Sequence, residues 1–131
     1  MKPYNSMKKA LETLYYKALL DNPKTAGFKK RSYDTIEKVW ERIHEDDSPE
    51  TTKEYESLTK SQREKIDEYV ATGVITAATI AERDPKVVAL RNLLGVYGIG
   101  PAKAISLIGN GIMTIQQLKR RINEDTLLTK A

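Results

Sequence analysis

No cysteine occurs anywhere in the 131 residues, which excludes disulfides, thiolate-bound zinc and thiol catalysis. Histidine is nearly as scarce. The single one, His44, cannot build a metal-binding cluster or a Ser-His pair, and it reads as a surface residue at a helix C-terminus. Long apolar runs are missing too, for nothing approaches the roughly 20 residues that a membrane-crossing helix needs. The opening Met1-Lys2-Pro3-Tyr4-Asn5 has no apolar segment of the kind found in a secretory leader. These absences predict a soluble intracellular chain that meets no membrane. Alternation of polar and apolar residues is absent as well, so no strand is expected.

What the sequence does hold is charge and helical periodicity. Lys and Arg number 22 against 18 Asp and Glu, with an isoelectric point near 9.2. The basic excess is uneven. Residues 1–44 carry ten Lys/Arg and five Asp/Glu, and residues 57–131 carry eleven and seven. Between them Glu45-Asp46-Asp47-Ser48-Pro49-Glu50 reads as a solvated loop. A polyanionic partner would meet the two basic segments, with the acidic loop pointing away.

Apolar spacing predicts an all-α chain of seven helices. Asn5 or Ser6 is placed to cap a first helix with Met7, Ala10, Leu11, Leu14, Tyr15, Ala18 and Leu19 on one stripe, ended by Asn22-Pro23. A second runs from about Phe28 to Ile43 and buries Tyr33, Ile36, Val39, Trp40 and Ile43. A short turn near Thr51–Ser57 leads to a helix over Ser61–Ala71, stopped by Thr72-Gly73, and then to one over Ile75–Arg83. Pro85 opens the next, and Thr114 caps the last, over Ile115–Asn123. Most aromatics fall on these buried stripes, so Trp40 reads as core and not as a base-stacking platform.

The most specific stretch is Leu93-Leu94-Gly95-Val96-Tyr97-Gly98-Ile99-Gly100-Pro101-Ala102-Lys103-Ala104. It reads as a helix end, a Gly-x-Gly hairpin and a second helix start. Gly98 and Gly100 are free to take positive φ and leave the backbone bare. Pro101 suits the first helical position, where its missing N–H costs nothing. The amides of Gly100, Ala102 and Lys103 would then point outward at a helix N-terminus, with the Lys103 charge beside them, ready for a phosphate. Such a turn can also be only a tight connection. No strand precedes it, which removes a dinucleotide-binding reading. The pattern is that of a helix-hairpin-helix, which grips one DNA strand by its backbone without reading bases.

Lys65-Ile66-Asp67-Glu68-Tyr69-Val70-Ala71-Thr72-Gly73, followed by Val96-Tyr97-Gly98-Ile99-Gly100-Pro101, resembles the amino-terminal part of family X DNA polymerases of the beta type. The similarity is clear over residues 57–125 and collinear over 1–56, where Phe28-Lys29-Lys30-Arg31-Ser32-Tyr33 resembles the start of the family's second helix. The resemblance implies a small helical lyase domain over residues 1–79 and a helix-hairpin-helix segment, the start of the fingers, over 80–131. It implies a structural Na+ or K+ held by the carbonyls of Leu94, Val96 and Ile99. The implied partner is gapped or nicked DNA ending in a 5′-phosphate or 5′-deoxyribose phosphate, bound by a monomer; the implied place is the nucleus if the source is a cellular eukaryote, with a viral or bacterial host left open. No cofactor is implied for the lyase step. Mg2+ belongs to a polymerase domain whose Gly-Ser and Asp-x-Asp motifs this sequence does not contain.

Opening an abasic sugar needs an amine, and lysine supplies it when burial or a neighbouring cation lowers its pKa. By resemblance Lys65 is the nucleophile, with Glu64 beside it. Lys29, Tyr33 and Lys53 match positions at the 5′-phosphate, Lys60 is one residue from another, and Ser61 lies on the Lys65 face. Lys29, Tyr33, Lys60 and Lys65 are expected to converge on one pocket. The sequence departs from the family where the first hairpin's glycines would stand, in Glu56-Ser57-Leu58-Thr59-Lys60-Ser61, and where two lysines are replaced by Ser61 and Ala77. Two readings therefore stay open: a lyase region using Lys65, or a catalytically silent module that docks a polymerase or partner on gapped DNA. A solvated helix residue is the plainest alternative for Lys65 itself.

Overall fold

Three of the five prolines open helices, and the side chains in front of them decide how those helices begin. A computed structural model describes residues 4–45 and 48–124, with side chains over 6–43 and 48–121. Among the described residues there are eight helices and no strand. They are α1 Tyr4–Asp21, α2 Ala26–Glu45, α3 Pro49–Glu56, α4 Lys60–Thr72, α5 Thr76–Glu82, α6 Pro85–Leu94, α7 Pro101–Gly109 and α8 Ile115–Glu124. Ser48 Oγ accepts from the Thr51 amide ahead of α3, and Asp84 does the same from Lys86 ahead of α6. Gly100 offers α7 no side chain at all. The chain divides into two compact units, Met1–Ala81 and Glu82–Ala131.

In the first unit α1 lies along α2, which also meets α3 and α4. Met7, Leu11 and Leu14 of α1, Ile36, Val39 and Trp40 of α2, and Ile66 and Tyr69 of α4 share one core with Leu58, Ile75 and Ala78. Trp40 and Tyr69 meet edge to face, 5.2 Å between centroids at 85°, a geometry that aromatic quadrupoles favour. Each large side chain buried here contributes roughly 1.5–3 kcal/mol by leaving water. Trp40 is core, as its stripe predicts. In the second unit α6 packs on α7, and Val87, Leu90, Leu93, Ala104, Leu107, Ile112 and Leu118 are buried.

Several local expectations change. The turn near Thr51–Ser57 is helix α3, so the helices are eight and not seven. Its polar sequence buries only Thr51 and has no stripe to read. α1 begins at Tyr4, which puts Asn5 and Ser6 inside the helix instead of at its cap. The acidic stretch is not one loop, since Glu45 ends α2 and Pro49 and Glu50 begin α3. Asp46, Asp47 and the His44 side chain lie outside the described residues. Tyr33 and Ile43 pack against the core only partly buried, and Phe28 and Tyr97 are exposed.

Candidate functional site

The α4 helix starts from a capping box. Thr59 Oγ1 accepts from the Gln62 amide at 3.2 Å, and Gln62 Oε1 accepts from the Thr59 amide at 2.9 Å. The other end of the same carboxamide crosses to α2, where Gln62 Nε2 donates to Ser32 O at 3.2 Å and Ser32 Oγ at 3.0 Å. One side chain thus caps α4 and joins it to α2. With Ile36, Trp40, Ile66 and Tyr69 sharing the core below, the N-terminal part of α2 is held beside the first turns of α4.

That arrangement sets the chemistry of Lys65. The side chain is half-buried, and its Nζ donates to Ser61 Oγ one turn earlier, at 3.1 Å. Burial holds its pKa below the ordinary lysine value, and the positive charge of Lys29 on α2 lowers it further. Glu64 and Glu68 act in the opposite sense, stabilising the ammonium. Glu68 is itself committed, since its carboxylate accepts from both the amide and the hydroxyl of Thr76, and these bonds hold its pKa below the ordinary glutamate value.

No one cleft among those described is lined by Lys29, Tyr33, Lys60 and Lys65 together. The charge of Lys29 bears on Lys65, whereas Lys53 on α3 and Lys60 at the start of α4 are exposed. Tyr33 lines a different cleft, of about 250 Å³ between α1 and α2, with Lys30, Tyr15 and Asp34. Lys29, Lys60 and Lys65 do not line it. Burial raises the Tyr33 pKa. Inspection of motifs alone missed Gln62 and Glu68. Both had a signal, namely Thr-x-x-Gln for the capping box and a spacing of three from Lys65 for Glu68.

The second candidate surface lies between α6 and α7. The Ile99 amide donates to Val96 O at 3.2 Å, closing a turn whose third residue, Gly98, has φ +84. Only glycine adopts that conformation without strain. Gly100 does not share it. Its φ of −93 and ψ of 179 are ordinary extended backbone, so the expected positive φ there is corrected. A Cβ on either glycine would meet nothing within 4 Å. Gly98, Gly100 and Ala102 are exposed and Lys103 is half-buried beside them. Leu94, Val96 and Ile99 are each half-buried around the turn. No side chain caps α7, whereas Thr59 and Gln62 cap α4.

Among the described residues no helix is long and apolar enough to cross a membrane, and no group of three His, Asp or Glu could hold a metal ion. Over 112 residues, 86% of the chain, the sequence is 33% identical to DNA polymerase lambda of Arabidopsis thaliana, a family X polymerase. The chain spans 20% of the length of that protein. No family model matches the sequence, and no solved structure matches it.

Proposed function

We propose that this chain is the amino-terminal, DNA-binding region of a family X DNA polymerase that acts in gap-filling repair, and that it removes a 5′-deoxyribose phosphate through Lys65. The similarity to DNA polymerase lambda supports the polymerase context. One observation carries the chemistry: a half-buried lysine whose pKa is lowered by burial and by a cation on a separate helix. A solvated helix lysine would have neither influence. On this reading residues 1–79 are the lyase domain and residues 80–131 the helix-hairpin-helix segment.

The free Lys65 Nζ attacks C1′ of the ring-opened sugar, and loss of water leaves a protonated Schiff base. Removal of a C2′ proton sends electrons towards that cation, the C3′–O bond breaks, and the 3′-side phosphate departs with the pair. Water then hydrolyses the imine and returns the amine. Glu64 is assigned to take the C2′ proton, since the Glu68 carboxylate is already committed to the amide and hydroxyl of Thr76. Lys29 holds the 5′-phosphate, with Tyr33, Lys53, Lys60 and Ser61 contributing along the incoming strand.

In the second unit the amides of Gly100, Ala102 and Lys103 receive a phosphate of the other strand segment. The carbonyl oxygens of Leu94, Val96 and Ile99 are neutral and hard, a donor set that suits a monovalent Na+ or K+. Each keeps a lone pair for it, since a carbonyl that accepts one hydrogen bond retains a second.

A silent docking module is the second reading, favoured by the α3–α4 connection. There the family's glycines are absent, and the capping box takes up the amides of Thr59 and Gln62 at the start of α4. Borohydride trapping on 5′-incised abasic DNA separates the two. Lyase chemistry leaves a covalent adduct that Lys65→Ala abolishes while DNA binding persists. Binding with no adduct in the unsubstituted protein would establish the silent module instead.

A further inference from the structure

Between Asp84 and Glu124 the sequence contains Lys86, Arg91, Lys103, Lys119, Arg120 and Arg121, and not one acidic residue. The last three are consecutive and exposed on α8. Where α7 gives way to α8, Arg120 and Arg121 line a hollow of about 160 Å³ with Asn110, Gly111, Ile112 and Gln117. Among the described residues, every charge in that lining is positive.

The neutral groups favour an anion as well. Gln117 Oε1 accepts from the amides of Met113 at 2.6 Å and Thr114 at 3.2 Å, while Thr114 Oγ1 accepts from the Gln117 amide at 3.0 Å. With its oxygen turned to the backbone, Gln117 has only its Nε2 hydrogens left for a ligand, and these can only donate. Gly111 has φ +86, and a Cβ there would meet nothing within 4 Å, so its backbone is open to close approach. The volume is below the roughly 300–1,000 Å³ of sites for drug-sized ligands. It suits a single phosphate group with its waters.

We propose that this hollow is a second phosphate-binding site for a nucleic-acid backbone, at the opposite end of α7 from the Gly98–Lys103 hairpin. It rests on the reading that the hairpin grips DNA. At about 1.5 Å per residue, α7 separates the two sites by roughly 13 Å, and one strand advances that far in about four nucleotides. Two arginines suit the task, because the guanidinium fork matches phosphate oxygens in pairs.

The test measures affinity of the full chain for a gapped duplex across a salt series, by fluorescence anisotropy. Each phosphate contact contributes about 0.9 to the slope of log K against log salt. R120Q/R121Q is expected to lower that slope by about one or two and to weaken binding about tenfold at ~0.1 M salt. R120K/R121K, which keeps the charges, is expected to retain most of the slope. If the unsubstituted chain binds DNA and Gly100→Val weakens it, yet R120Q/R121Q leaves the slope unchanged, the hollow is no backbone site and the hairpin reading stands. If the unsubstituted chain does not bind DNA, both fall. An NMR titration with inorganic phosphate distinguishes the source. Saturable shifts of the Arg120 and Arg121 side-chain signals, with DNA affinity indifferent to R120Q/R121Q, would overturn the proposal in favour of a free-anion site.

Discussion

As the proposed nucleophile Lys65 would act only as a free amine, and its neighbours decide how much of it is free at neutral pH. Burial and Lys29 disfavour the ammonium, while Glu64 and Glu68 favour it. The lowered pKa moves the rise in Schiff-base formation to lower pH than an ordinary lysine would give. Lys29→Ala removes one of the two depressing influences, so Lys65 keeps its proton to higher pH. The trapping rate at saturating DNA should therefore fall by about two- to fivefold at neutral pH and recover as pH rises. The readout is a pH series on single-turnover adduct formation. A profile that does not move would mean that Lys29 acts only by binding phosphate.

At the scale of elements, α4 and α7 present two helix starts with opposite uses. At the start of α4 the amides of Thr59 and Gln62 are each taken up by the other's side chain, and Gln62 then ties the helix to Ser32 of α2. α7 begins on a bare glycine. Gly98 is required by its own conformation, whereas Gly100 has an ordinary φ and open space where a side chain would stand. Internal packing therefore does not explain the second glycine, whereas on the proposed reading its open side leaves room for a phosphate. Gly98→Val should destabilise the chain by about 1–2 kcal/mol, the strain of a left-handed conformation on a substituted residue. Gly100→Val should leave the melting temperature and helicity nearly unchanged yet weaken DNA binding. Equal DNA affinity of Gly100→Val and the unsubstituted chain in that comparison would remove the hairpin assignment.

For the molecule as a whole, the proposed reading gives each unit cations that would meet phosphates. On the proposed reading, Lys29 and Lys65 of the first unit receive a sugar phosphate end. Gapped DNA with a 5′-phosphate should therefore bind about tenfold more tightly than the same DNA with a 5′-hydroxyl, the order expected of a charge-assisted hydrogen bond. Lys29→Ala should remove most of that preference while leaving helicity intact, because the side chain is exposed. Competition binding with the two duplexes measures it. If the two ends bind equally, the lyase reading loses its substrate and the docking module takes its place.

Helices were legible in the sequence because their causes are local. The apolar stripes of α1, α2 and α4, the Gly73 stop with φ 83, the Thr114 cap and Pro101 at the head of α7 each follow from residues within a turn or two of one another. α3 escaped because Pro49–Glu56 buries a single threonine, although Ser48-Pro49 marked its start. The turn at Gly98 was legible for the same local reason, and the ordinary φ of Gly100 was not, since glycine permits both. Which cations meet was a different matter. The charge of Lys29 bears on Lys65, and Tyr33 lines the α1–α2 cleft with Lys30. Those pairings depend on how Ile36 and Trp40 pack against Ile66 and Tyr69 and on the Gln62 bridge, contacts between residues far apart in the chain. Periodicity says which face of a helix is buried, and only the packed core decides which neighbour that face meets.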